Sequence, residues 1–311
     1  MVVQATMKSR TKVEETLLPR PRNESTDGSS PGERLLFYDE IPPWQKDNEY
    51  LLSGYRPTSN SWLLSFQSVL QWHNETINIH THVAGSFIFA LFPIHFYHTY
   101  YQHVAGAVAI DAVLFTIYFL GVSVCFACSA TCHLIWNHSP ALASLGNQLD
   151  YCGIVLLMWS ASLASIHFAF TCDPWLRGIH WLFVSASGFG CIVFTLNPKF
   201  INPAFRTARA TMYASLGLFA ALFVLHSIYL YGFENQQKRL SLGWMIAMAT
   251  SNLVGAAFYA SRYPEISHPY KFDMIGASHQ LFHVFILIAG LVHYKGLVAA
   301  FLEVRGPEHI C

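Results

Sequence analysis

Ser278-His279-Gln280-Leu281-Phe282-His283 opens the last long apolar run of the chain, which continues Val284-Phe285-Ile286-Leu287-Ile288-Ala289-Gly290-Leu291-Val292. A run of this length and apolarity reads as a membrane-spanning helix. On a helix, His279 and His283 stack on one face, with Cβ atoms about 5–6 Å apart. Ionisable or metal-binding side chains inside a span are costly to bury and usually functional. One stretch thus indicates both the fold class and a candidate site.

The rest of the chain agrees. Of 311 residues, 53% are hydrophobic and 12% charged, and the mean hydropathy is +0.34. A soluble domain carries about 25% charged residues. Net charge is zero, which gives nucleic-acid binding no electrostatic support. Seven runs have the length of a span, near 77–100, 108–135, 148–170, 177–196, 209–231, 241–261 and 278–302. The expected fold is all-α, a polytopic bundle of seven transmembrane helices. Residues 1–34 read as a disordered cytoplasmic tail and 35–76 as a cytoplasmic or interfacial segment, in which Trp62-Leu63-Leu64-Ser65-Phe66 suggests a short interfacial helix. Residues 77–302 form the membrane domain and 303–311 an extracellular or lumenal tail. Residues 1–30 hold no apolar signal-peptide core, so insertion is expected to use the first true span.

Lys and Arg set the orientation. With the N-terminus cytoplasmic, thirteen of them fall inside and five outside; without the tails, the loops divide five to three. The sequons at Asn23, Asn74 and Asn137 then lie inside and should be silent. The seven cysteines mostly fall in apolar runs and read as small buried hydrophobes, with no visible disulfide framework.

On this topology His133 lies near the cytoplasmic end of span two, Asp150 at the cytoplasmic head of span three, and His279 and His283 in the first turns of span seven. The charge count ignored His and Asp, so their common depth is an independent coincidence. Three imidazoles with an open fourth position make a catalytic-type zinc site. Asp150 suits orienting a water or accepting its proton, and Ser129, four residues before His133, can bond the water, a histidine or the substrate. Glu75, Asn78 and His82 share one face at the start of span one. Capping and dipole stabilisation by Glu75 is the expected role, packing against the metal cluster the alternative. His95, His98, His103, His167, His180, His226, His268, His293 and His309 read as interfacial side chains. Ala186-x-x-x-Gly190 and Gly255-Ala256 read as close helix packing.

Four stretches carry a family pattern: Asn74-Glu75-Thr76-Ile77-Asn78-Ile79-His80-Thr81-His82, Ser129-x-x-x-His133, Leu149-Asp150-Tyr151-Cys152-Gly153-Ile154 and Ser278–His283. Over residues 40–302 the chain resembles the progestin and adipoQ receptor superfamily, in its adiponectin-receptor and fungal Izh (haemolysin III-related) branch. The resemblance implies a seven-helix bundle with an intracellular N-terminus, in the plasma membrane or an internal membrane. It implies a zinc ion held by His133, His279 and His283, with Asp150 holding a water. It further implies hydrolysis of a ceramide-like lipid amide, linked to lipid and zinc homeostasis. An osmotin-like extracellular protein ligand is implied only through fungal relatives, and an adiponectin-like ligand is not supported. The alternative is a receptor whose zinc only pins helices together. A channel or transporter has little support, since there is no acidic ring and no pair of Gly/Pro-broken spans. Span three is not followed by the Asp-Arg-Tyr of G-protein-coupled receptors, and span seven has no mid-membrane lysine for a retinal.

Overall fold

The computed structural model describes residues 34–197 and 206–306. The tail at 1–33, with Asn23, lies outside them, as does His309. The described residues are helical, apart from connecting segments and one isolated bridge between Leu36 and Tyr55. The α-helices are α1 (Trp62–Gln67), α2 (Thr76–Thr99), α3 (Ala109–Ile135), α4 (Pro140–Ala169), α5 (Pro174–Leu196), α6 (Arg206–Tyr231), α7 (Phe233–Leu240), α8 (Leu242–Ser261) and α9 (Ser278–Arg305). Six of them, α2, α3, α4, α5, α8 and α9, are long and apolar enough to cross a membrane. The protein is an integral membrane protein. Helix α6 occupies the place of the expected fifth span, and its Ser215–Tyr231 part is a shorter apolar stretch.

Local chemistry explains where the helices start. Helix α4 begins at Pro140, not near 148, because Ser139 caps it and Pro140 takes the first turn, where no N–H is needed. The polar Gly146-Asn147-Gln148 had hidden those two turns from a hydropathy reading. Asp173 and Pro174 start α5 in the same way, with the Asp173 carboxylate accepting from Leu176 N–H at 3.1 Å. Helix α9 runs to Arg305, three residues beyond the expected end, because Arg305 is anchored to Asp111. The polar helix α7 is not foreseen in the sequence reading.

The core is aromatic. Phe96 and Phe115 stack at 3.8 Å between α2 and α3, Phe119 and Phe301 pack around them, and Tyr118 donates to the Gly290 carbonyl at 2.7 Å. Between helices in lipid, such van der Waals packing and hydrogen bonding replace the hydrophobic effect. Helices α3 and α4 come close enough that a Cβ at Gly121 would collide with Ser160 Oγ. Gly255 packs against Phe285 and Phe282 of α9, as expected, but Gly190 has nothing within 4 Å and Ala186 is exposed. That pair does not form a packing face.

Two findings correct the histidine and cysteine readings. His167 and His293 are buried polar residues, not interfacial side chains: His167 pairs with Asp111 at 2.9 Å, and His293 lies 3.4 Å from Ser165 Oγ. Cys172, in the turn between α4 and α5, is disulfide-bonded, whereas Cys125, Cys128, Cys132, Cys152 and Cys191 are free thiols. Asn74 and Asn137 are 4% and 5% exposed, so burial alone keeps both sequons from a glycosylating enzyme in the folded protein.

Candidate metal centre

The register of α3 on α4 brings the first candidates together. Gly153 packs on Cys125 and Gly146 on Cys132, which sets Asp150 opposite Ser129. The Ser129 hydroxyl lies beside the half-buried Asp150 carboxylate. One turn further along α3, His133 faces the start of α9. Its ring centroid is 5.1 Å from that of His279 and 4.9 Å from that of His283, and the latter two are 4.7 Å apart. The three rings form a nearly equilateral triangle.

One ligand atom from each of His133, His279 and His283 lies within 4.8 Å of the other two. Buried His133 Nε2, His279 Nε2 and His283 Nδ1 have no hydrogen-bond partner. An orphaned buried polar atom costs about 1–3 kcal/mol, so three in one small cluster are not a neutral packing choice. One divalent cation could take one nitrogen from each of the three rings, and imidazole nitrogen is a preferred zinc donor. The donor set therefore fits zinc.

The surroundings hold the donors in place. Glu75 does not cap α2, since its side chain makes no capping bond. Instead its Oε2 lies 2.7 Å from His133 Nδ1, and Asn78 Nδ2 donates to the same oxygen at 2.7 Å. A carboxylate on the second nitrogen fixes tautomer and ring orientation, the common arrangement behind a metal-binding histidine. His82 stacks face to face on His283, centroids 3.7 Å apart and planes 4° from parallel. The alternative reading of the Glu75 face, packing against the cluster, is the one the geometry matches. Glu75→Gln is expected to keep the fold and weaken metal retention roughly 10- to 100-fold, measured by competition with a chelator.

Sequence reasoning missed three further supports. Buried Arg56 donates to the His133 carbonyl at 2.6 Å, the Leu134 carbonyl at 3.0 Å and Ser68 Oγ at 2.8 Å, closing the end of α3. Burial pulls its guanidinium down to about 10, against the opposing effect of Glu75. His73 Nδ1 accepts from Glu75 N–H at 3.1 Å, so Nε2 carries the proton toward the Ser68 carbonyl at 3.1 Å. Burial and the nearby Arg56 push its pKa down to about 3, which keeps the ring neutral. Glu265 accepts from Ser278 N–H at 2.8 Å, from the Ser278 hydroxyl and from Asn48 Nδ2 at 3.0 Å, capping α9 one residue before His279. Arg56 and Glu265 lie in connecting segments with no periodic pattern, so nothing in their spacing marks them.

A family model described as haemolysin-III related matches residues 70–294. The chain belongs to that family. Among its relatives in this haemolysin-III-related family is the adiponectin receptor protein of Drosophila melanogaster, 34% identical over 264 residues, covering 85% of the chain and 59% of that receptor. The chain thus spans less than two thirds of the fly protein's length. ADIPOR-like receptor IZH2 of Saccharomyces cerevisiae is 31% identical over 86% of the chain and 84% of its own length. Heptahelical transmembrane protein 1 of Arabidopsis thaliana is 32% identical over 89% of the chain and 83% of its own. These relatives agree with the progestin and adipoQ receptor grouping read from the four motifs.

Proposed function

We propose that the protein is a seven-span, adiponectin-receptor-like membrane protein that holds zinc on His133, His279 and His283 and hydrolyses a lipid amide of the ceramide class. The observation that carries this reading is the convergence of three imidazoles, each bringing a ring nitrogen within 4.8 Å of the others. The seventh span is α6, whose place in the chain matches the fifth apolar run. The cytoplasmic N-terminus is supported by the Lys and Arg distribution. Disulfide-bonded Cys172 lies at the bundle end opposite the histidines, as expected if that end faces an oxidising compartment.

Zinc bound there supplies Lewis acidity, polarising an acyl carbonyl and bringing the pKa of water to roughly 7. The chain's own residues do the rest. His133, His279 and His283 offer neutral nitrogens, and Glu75 keeps the His133 proton on Nδ1, directed at its own carboxylate. Asp150, oriented by Ser129, takes the proton from the attacking water and returns it to the leaving amine nitrogen. Addition of that water to the carbonyl carbon and cleavage of the C–N bond release a fatty acid and a sphingoid base. A site within the depth of the bundle suits a substrate whose two chains stay in lipid.

The test is purified wild type in a lipid nanodisc. About one zinc per chain and release of fatty acid from ceramide, lost on chelation and regained with zinc, is the expected result. Bound zinc without hydrolysis of ceramides of any acyl length would leave the metal and remove the reaction.

A further inference from the structure

At the bundle end opposite the histidines, a second buried polar cluster joins the same three helices. Asp111 sits in the first turn of α3, His167 near the end of α4 and Arg305 at the end of α9. Asp111 Oδ1 is 2.9 Å from His167 Nε2 and accepts from Arg305 Nη2 at 2.9 Å. Oδ2 accepts from Arg305 Nε and from Val108 N–H, each at 2.9 Å. The Asp111 and His167 side chains are 0% and 1% exposed, and that of Arg305 is 17% exposed. The two-pronged contact is the strong form of an arginine–carboxylate pair.

This cluster and the histidine centre share their scaffold. His133 lies on α3, Asp150 on α4, and His279 and His283 on α9. Asp111 and His133 are 22 residues apart, as are His283 and Arg305. At 1.5 Å per residue, both separations are about 33 Å. Three long helices are thus pinned by polar groups at both ends. Between the pins lie mainly aromatic packing, the Tyr118–Gly290 hydrogen bond and the Ser165–His293 contact.

We propose that Asp111, His167 and Arg305 form a distal latch that positions α3, α4 and α9 for metal binding, and that latch and metal are energetically coupled. The inference rests on the reading that the three histidines hold zinc. Metal–donor distances tolerate about 0.2 Å. A side-chain tip about 6 Å from a helix axis moves about 2 Å when the helix turns by about 20°. Aromatic packing in lipid resists such a turn weakly; a bidentate pin at the far end resists it directly. By linkage, whatever opens the latch weakens the metal, and removing the metal loosens the latch. The distal end, where the proposed topology places an extracellular signal, gains a route to the inner centre.

The experiment uses full-length protein: wild type, Asp111→Asn and Arg305→Lys, the last keeping charge but losing the two-pronged contact. Zinc affinity, read by equilibrium competition with a chelator, should fall roughly 5- to 150-fold in both variants, the usual range of coupling between sites. A cycle combining Asp111→Asn with His283→Ala should be non-additive in melting temperature, which a purely structural pin would not produce. In wild type, chelation should raise amide exchange in the distal turns of α3, α4 and α9. Folded variants that hold zinc with wild-type affinity, with additive melting and unchanged distal exchange, would overturn the latch and leave the metal reading intact. Should a variant fail to fold, the wild-type exchange comparison decides. Wild type without bound metal would overturn the metal reading itself and this inference with it.

Discussion

Replacing His283 with alanine is expected to reduce zinc from about one per chain to a trace in purified protein. His283 is 1% exposed, and one of its ring nitrogens is one of three donors gathered within 4.8 Å. Without it only His133 and His279 remain, short of the three or four protein donors of most zinc sites. Loss of a group that merely orients a ligand costs 10- to 100-fold in affinity, so loss of a ligand should exceed about 100-fold. A 100-fold loss corresponds to about 2.7 kcal/mol of the stability that saturating metal lends the fold. The variant should therefore melt lower than wild type. Part of that drop comes from packing, because His82 loses its stacking partner. Chelated wild type separates the two parts: the drop it shows belongs to the metal, and any remaining difference belongs to the side chain. Full zinc content in His283→Ala would sink the centre.

The span positions were legible because lipid demands long uninterrupted apolar runs, and the observed helices fall within a few residues of them, α4 excepted. Their ends were less legible, since caps and pins set them: Ser139-Pro140 for α4 and Asp111 for the end of α9. The depth match of His133 with His279 and His283 could be read from topology and spacing alone, and the rings do meet. What spacing could not show was which polar side chains cross between helices. Glu75 looked like a cap because it precedes a helix; its partner, His133, lies 58 residues away. His167 looked interfacial because it sits at a span end. Its burial becomes visible only when Asp111 and Arg305, far off in the chain, are brought beside it. Contacts of this kind have no periodicity, so composition and pattern carry no trace of them.

Asp150→Asn is expected to keep zinc at about one per chain and to cut lipid amide hydrolysis by roughly 10²–10⁴-fold, the usual contribution of a positioned general base. The substitution is nearly isosteric. It leaves an oxygen able to accept from the neighbouring Ser129 hydroxyl. Asp150 is not among the three residues whose nitrogens converge, so the metal should not depend on its charge. What disappears is a carboxylate able to take a proton beside the reacting carbonyl. Zinc content and hydrolysis, measured on one preparation, therefore divide the two readings of the centre. A zinc-loaded but inactive Asp150→Asn supports the hydrolase. A variant that keeps zinc, fold and wild-type hydrolysis removes Asp150 from the chemistry. If wild type itself releases no fatty acid while Asp150→Asn and wild type signal alike, the ion serves only to pin α3 to α9, and the haemolysin-III-related fold acts here as a receptor held together by metal.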